Sequence, residues 1–248
     1  AGGHVQRDPL EGHHSVIIGL VQGCNAECGL GHAIFRRGGS FSFKRLYIGL
    51  AARTECFFFD IEVPVAEHFP LKLVGSRMLA PSVRHLEFAR DDGQALDFIA
   101  GQFIQVHFNT PDGSPTKRSY SLATQHDHAF GVNDTVEIAV SFVPGGAASA
   151  LFTALDEGQQ IQCSGPYGRF CLNEKDQNAR YLLIGTGTGV TPYRAMLPQL
   201  KHMMDTRGVE VVLLFGSRTE EDLIYREDFY AFAAENPKFR FMPCFSRE

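Results

Sequence analysis

Tyr181 to Leu197, YLLIGTGTGVTPYRAML, is a short apolar run that meets Gly185, Gly187 and Gly189 and passes into a helix-like segment opened by Pro192. That is the order of a strand, a phosphate turn and a helix. Glycines lack the Cβ that would hold a pyrophosphate off the backbone, and the unpaired N–H groups and positive end of the following helix attract the anion. Pro192 suits the first helical turn, where the N–H it lacks has no partner to lose. The stretch reads as the floor of a nicotinamide-dinucleotide site. Taken alone, the same glycines would also serve an ordinary strand-to-helix turn.

Downstream the pattern continues as a strand (Glu210 to Phe215), a helix from about Glu220 to Ala234 and a strand from Phe239 to Phe245, the alternation of a parallel α/β sheet. Upstream, from Leu71, short apolar stretches follow one another: Leu71 to Ser76, Val83 to Phe88, Phe103 to Phe108, Ser119 to Ala123, Val136 to Val143 and Gln160 to Cys163. Turn signals such as Pro111-Asp112-Gly113 and Gly145-Gly146 separate them, which predicts a small antiparallel barrel or sandwich. The polar stretch Asn173 to Ala179 marks the junction. The expected fold class is therefore β followed by α/β, with a barrel over residues 67–175 and a parallel-sheet domain over 176–248.

A chain of 248 residues has room for two such cores. Residues 1–66 do not read as one of them, because glycine pairs and the Cys24 to His32 region interrupt every apolar run; they are expected to be a poorly ordered or non-native extension. Cys24, Cys28 and His32 suggest a metal, but the spacing lacks the second pair that zinc sites show. Phe57-Phe58-Phe59 reads as a sticky or docking segment. The formal net charge of −5 excludes a generic nucleic-acid binder, since no positive field would gather phosphates. The apolar run Val16 to Val21 is far short of the roughly 20 residues of a membrane span. Six scattered cysteines in a chain too large to need stapling fit a reducing cytoplasm. The chain starts at Ala1 and stops at Glu248 just after a strand, which suggests a fragment.

Three further segments carry possible chemistry. Lys117 to Ser121, KRSYS, joins cations, hydroxyls and an aromatic: Arg118 could pair with a pyrophosphate, Tyr120 offers a flat face to a planar ring, and Ser121 a hydrogen bond to that ring. A barrel strand with alternating faces is the competing reading. Pro144 to Leu151, PGGAASAL, runs from a strand end into a small-residue helix whose N–H groups could hold another phosphate, with Ser149 capping it or bonding the anion. A plain turn and capped helix would look the same. Gly165 to Phe170, GPYGRF, is a rigid turn by composition.

In this order the pieces resemble the ferredoxin–NADP reductase superfamily, over about Glu67 to Glu248. R-S-Y-S at Arg118 to Ser121 is similar to the family's flavin motif, followed by G-x-x-S at Gly146 to Ser149, G-P-x-G at Gly165 to Gly168, the G-T-G-T-G-V-T-P turn and G-S-R at Gly216 to Arg218. The resemblance implies an FAD-binding barrel and an NADP-binding domain, with NAD as the other candidate. It implies that Arg118 and Ser119 lie at the FAD pyrophosphate strand, that Tyr120 flanks the flavin ring and that Ser121 sits near its reactive nitrogen, these last two being the catalytic candidates. Gly146, Ala147, Ala148 and Ser149 would cradle the FAD phosphates. Thr186, Gly187 and Thr188 would face the nicotinamide nucleotide's phosphates, with Thr191 and Pro192 near its ribose and nicotinamide. Ser246-Arg247 falls where many members hold the 2′-phosphate of NADP, with Ser217 and Arg218 as further cofactor-binding candidates, Arg218 as a helper to that phosphate. Arg194 reads instead as a helix salt bridge and Cys244 as a buried strand residue. Family members usually continue through a further strand and a C-G-x-x-x-M-like segment that this sequence lacks, so its α/β domain is expected to be incomplete at the C-terminus.

The implied reaction passes a hydride from NAD(P)H to FAD and then single electrons to an acceptor. No plant-type C-x4-C-x2-C cluster spacing occurs, so the acceptor is expected to be a separate partner, ferredoxin or flavodoxin first, or an oxygenase component or free flavin. From Glu67 on there are 17 Lys plus Arg against 22 Asp plus Glu, so no overall basic bias marks a dock for an acidic protein. His126 and His128 read as surface residues of a polar loop. A non-catalytic flavin-binding electron-transfer or regulatory subunit is the rival reading.

Overall fold

The structure, a computed structural model, describes residues 15–20, 68–90, 92, 94–125, 130–133, 135–173 and 175–247. Within 1–66 the described part is strand β1, Ser15–Leu20. Cys24, Cys28, His32, Phe57 to Phe59, His126 and His128 lie outside the described residues.

From His68 the chain runs through β2 (His68–Ala80), β3 (Val83–Arg90), β4 (Leu96–Ile99), β5 (Phe103–Asn109), β6 (Pro115–Ser121), β7 (Phe130–Asn133), β8 (Thr135–Ser141), helix α1 (Ala147–Ala154) and β9 (Gln160–Tyr167). Antiparallel pairing joins six of these strands in the order β6-β5-β9-β2-β3-β8, while β4 and β7 pair with each other. The sheet curls because its two outer strands meet. Leu122, just past β6, bridges Ile138 on β8, and the Ala123 N–H donates to the Glu137 carbonyl at 2.8 Å. Strand alternation then sends one face of each strand inward. Phe69, Leu71, Leu86, Phe88, Ile104, Val106 and Ile138 are fully buried there, with Phe152 of α1 closing the core. Each such side chain contributes about 1.5–3 kcal/mol relative to leaving it in water.

The second layer system is β10 (Arg180–Thr186), a short 3-10 turn over Gly187–Val190, α2 (Thr191–Arg207), β11 (Glu210–Ser217), α3 (Arg226–Glu235) and β12 (Phe239–Phe245). Its sheet is wholly parallel, in the order β1-β10-β11-β12. The chain leaves β10 in one direction, through β11 to β12, while β1 lies on the other side. β10 is therefore where the strand order reverses, and in open parallel sheets ligands bind outside the carboxyl ends of the strands at such a point. The glycine turn begins at that end of β10.

Three expectations need correction. The helix expected over about Glu220 to Ala234 is a 3-10 turn at Glu220–Asp222 and then α3 from Arg226. Leu223, Ile224 and Tyr225 between them are all buried, and three consecutive residues cannot share one face of an α-helix. Tyr225 instead adopts φ 56°, which ends the turn and starts α3 afresh. The strand expected over Ser119 to Ala123 begins at Pro115, because its extent is set by pairing with β5, from Phe103 opposite Ser121 to Asn109 opposite Pro115, and not by its own apolar pattern. Cys244 is exposed, not buried: in β12 Phe239 and Phe241 turn toward α3, which puts Met242 on one side of Pro243 and Cys244 on the other out to solvent.

Candidate functional site

Ile104 and Val106 of β5 are buried and lie opposite Tyr120 and Arg118 of β6, so these two face the side capped by α1. The Tyr120 ring meets Phe152 of α1 edge-on at 5.3 Å between centroids, and burial pushes its hydroxyl up to about 12. Tyr120 is thus a neutral, apolar-faced ring at any ordinary pH. Arg118 is exposed; its guanidinium donates to Thr116 Oγ1 at 3.1 Å and to the Lys117 carbonyl at 2.9 Å. Alternation turns Ser119 and Ser121 to the other face, with Ser121 half-buried opposite Phe103.

Gly146 begins α1 without a side-chain cap, and Gly145 before it takes φ 74°. The first turn of a helix leaves N–H groups with no intrahelical acceptor, here those of Ala147, Ala148 and Ser149. Ser149 is committed locally: its Oγ accepts from the Val143 N–H at 2.8 Å, which holds the turn closed but leaves the hydroxyl proton available. A cavity of about 670 Å³ opens beside this turn, lined by Phe142, Val143, Pro144, Gly145 and Ser149 with Pro81 and Pro111 across from them.

At the end of β10 the backbone folds tightly. A Cβ on Gly185 would lie 2.8 Å from Val190 Cγ1 and 3.1 Å from the Tyr193 ring, so only glycine allows the turn to close on α2. At Gly187, by contrast, φ is 51° and a Cβ would meet nothing within 4 Å. Space therefore opens above the turn. Pro192 sits in the first turn of α2 as expected, and Tyr193 donates to the Ile184 carbonyl at 2.9 Å, pinning helix to strand. Thr191 is 2% exposed, and its hydroxyl is buried without a hydrogen-bond partner. Such a group costs about 1–3 kcal/mol unless something satisfies it.

The carboxyl ends of β11 and β12 bring the two Ser-Arg pairs together. Ser246 N–H donates to the Ser217 carbonyl at 3.1 Å and Arg247 N–H to the Arg218 carbonyl at 2.9 Å. Ser217 is nearly buried and donates to the Thr219 carbonyl at 2.9 Å. Arg218 forks onto Asp222 with both contacts at 3.0 Å, whereas Arg247 is exposed.

One cluster went unrecognised in the sequence. Arg194 of α2 bonds Glu137 of β8 and the Ala123 carbonyl at 2.7 Å in the barrel, and Asp228 of α3 at 2.5 Å. Its guanidinium lies 4.8 Å over the Tyr225 ring, and Tyr225 OH is 2.9 Å from His85 Nδ1 of β3. Burial, chiefly, pushes His85 down to about 4 against the pull of Glu137 3.6 Å away, so it is neutral near pH 7. The reading of Arg194 as a salt bridge holds, but the bridge runs between elements far apart in the chain.

These features test whether the implied groups fit. A glycine turn with open space above it, an unsatisfied buried hydroxyl at the start of α2 and uncapped N–H groups at α1 are suited to two anionic dinucleotides. Comparison with known proteins agrees. Residues 70–171 match the family model of the oxidoreductase FAD-binding domain, and residues 183–248 that of the oxidoreductase NAD-binding domain. The chain is 37% identical over 182 residues to ferredoxin–NADP reductase B of Sorangium cellulosum (strain So ce56), covering 73% of this chain and 71% of that protein. It is 31% identical to DmpP, the reductase component of phenol 2-monooxygenase from Pseudomonas sp. (strain CF600), over 68% of this chain and 45% of that one. Among solved structures, the cytochrome P450 reductase GcoB of Amycolatopsis superposes with a TM-score of 0.63 at 30% identity, over 74% of this chain and 53% of that one. The chain thus spans about half the length of the last two.

Proposed function

The chain belongs to the ferredoxin–NADP reductase superfamily of FAD- and NAD(P)-dependent oxidoreductases, and from that premise we propose that it oxidises NADPH and delivers single electrons to a separate ferredoxin or flavodoxin. Bound FAD supplies the conversion of a two-electron donor into one-electron deliveries. The protein's part is to hold and orient. Arg118 and Ser119 lie along the FAD pyrophosphate, Gly146, Ala147, Ala148 and Ser149 cradle its phosphates through backbone N–H groups, Tyr120 flanks the ring and Ser121 bonds its reactive edge. On the other side Gly187 and Thr188 take the nicotinamide nucleotide's phosphates, and Thr191 and Pro192 meet its ribose and nicotinamide. The domains divide at about residue 175, and the cysteines free among the described residues, Cys163, Cys171 and Cys244, fit a cytoplasmic setting. No helix among the described residues is long and apolar enough to cross a membrane.

The observation that carries this reading is the junction of the two halves: the Ala123 carbonyl, two residues past Ser121, accepts from Arg194, three residues past Thr191. The segment that follows the flavin strand and the helix that follows the nucleotide turn thereby share one hydrogen bond. Preference for NADPH rests on the adjoining pairs Ser217-Arg218 and Ser246-Arg247. Asp222 already occupies Arg218, so Arg247 is the guanidinium that meets the 2′-phosphate.

The test is the visible spectrum of the purified protein under argon. A yellow protein that NADPH bleaches faster than NADH supports the assignment, whereas bound FAD that neither reagent bleaches identifies a non-catalytic flavin carrier. Arg247→Ala should raise KM for NADPH by about 10–100-fold, the worth of one charge-assisted contact, and leave KM for NADH unchanged. An oxygenase as acceptor is a second reading, favoured by the similarity to DmpP and GcoB, proteins described as the reductases of a phenol monooxygenase and a cytochrome P450.

A further inference from the structure

Arg194 is the fourth residue of α2, yet its polar contacts lead away from its own helix. On the barrel side it donates to the Ala123 carbonyl at 2.7 Å and to Glu137; on the α/β side its Nε meets Asp228 at 2.5 Å and its plane covers Tyr225 at 4.8 Å. The barrel partners are themselves fixed. The Glu137 N–H donates to Thr124 Oγ1 at 2.8 Å, and the Glu137 carbonyl accepts from Ala123 at 2.8 Å, so Ala123, Thr124 and Glu137 move as one body. That body begins two residues past Ser121. Arg194, for its part, shares the first turn of α2 with Thr191 and Pro192, in a helix pinned to β10 by Tyr193. The Arg194 side chain is 13% exposed, so water contributes little to holding its charge.

A guanidinium suits this place for a geometric reason. Its donors lie in one rigid plane at fixed angles, so three acceptors from two domains can be held at once; a lysine ammonium offers a point charge on a flexible stem and cannot hold that spacing. We propose that Arg194 is a positioning residue: it sets the spacing between the Tyr120–Ser121 strand end and the Gly185–Thr191 turn, and so the approach of nicotinamide to flavin, without touching either cofactor. The inference rests on the functional reading above. Reactions of this kind are sensitive to such spacing, since misplacement by ~1 Å costs on the order of 100-fold in rate.

Arg194→Lys and Glu137→Gln, made in the full chain, test it. Each variant is expected to keep its FAD and to bind NADPH within about threefold of the parent, while the limiting rate of flavin reduction in stopped flow falls by about 10–100-fold. Chemically reduced variants should still pass electrons to ferricyanide at the parent rate. Two readouts need no turnover. The difference spectrum that NADP+ induces in the oxidised flavin should shrink, and in cofactor-free protein the amides of Leu122 to Thr124 should exchange faster. A limiting rate and difference spectrum equal to the parent's in a variant that retains FAD overturn the proposal. If Arg194→Lys loses FAD, Glu137→Gln decides; loss of FAD or of the fold in both makes the network purely structural and also overturns it. A parent protein whose flavin neither NADPH nor NADH reduces sinks instead the functional reading on which the proposal stands.

Discussion

Gly185 shows how little room the nucleotide turn leaves. Val190 and Tyr193, which an added methyl would strike, are both fully buried and cannot swing aside. Gly185→Ala should therefore destabilise the protein by about 1–3 kcal/mol, the usual cost of overpacking, and weaken nicotinamide-nucleotide binding more than FAD binding; thermal unfolding and two titrations check it. This turn was legible from the sequence because its chemistry is local: glycines, a proline and a strand within seventeen residues, Tyr181 to Leu197. Arg194 was only half legible. A salt bridge could be expected of it, but its partners Ala123, Glu137 and Asp228 stand 71, 57 and 34 positions away, and no periodicity along one helix points to them. Arg218 was similarly ambiguous, since its hold on Asp222 engages the charge that the sequence alone offers to a ligand.

Among the elements, α1 has an entry turn held by one of its own side chains. Ser149 Oγ is the acceptor for the Val143 N–H, so Ser149→Ala removes one bond inside the turn as well as one hydroxyl facing the neighbouring cavity. The loss in stability should be about 0.5–1.5 kcal/mol, and FAD affinity should fall with it, as flavin fluorescence on dilution would show. Strands that carry a clear apolar stretch, such as β3 and β10, could be read directly. β4 and β7 were not anticipated: each is four residues long and exists through pairing with the other, which sequence neighbours do not reveal. The break between Asp222 and α3 was missed for a related reason. Leu223 to Tyr225 have the composition of a helix, and only packing on all sides makes a continuous one impossible.

Across the molecule, the joint between barrel and α/β layers should be sensitive to acid. His85 titrates in the unfolded chain at an ordinary histidine value, but burial holds it down to about 4 in the fold, with Arg194 and Arg77 disfavouring the charge and Glu137 and Asp228 favouring it. Between those values the unfolded chain binds the extra proton, so stability contributed by this site is full above about pH 6.5 and is lost as pH falls toward about 4. His85→Gln should flatten that part of the profile, read as urea midpoints at pH 7.5 and pH 5; the carboxylates held low by their own partners, such as Asp92 and Asp112, are present in both proteins and cancel. An unchanged slope would remove His85 from the account.

The placement of β1 has a consequence for how the molecule is made. Its register partner, Arg180 to Gly185, leaves the ribosome only after every strand of the barrel. At roughly 5–20 residues per second that is a wait on the order of ten seconds, during which the segment destined to become β1 has no β10 to pair with. A strand synthesised before the barrel is thus seated only after it, and the long-range closure it makes, being costly in chain entropy, belongs to the slow end of folding. Ribosome-bound chains halted before residue 180 should accordingly be more readily cut by protease near Ser15–Leu20 than chains halted after the residues of β11.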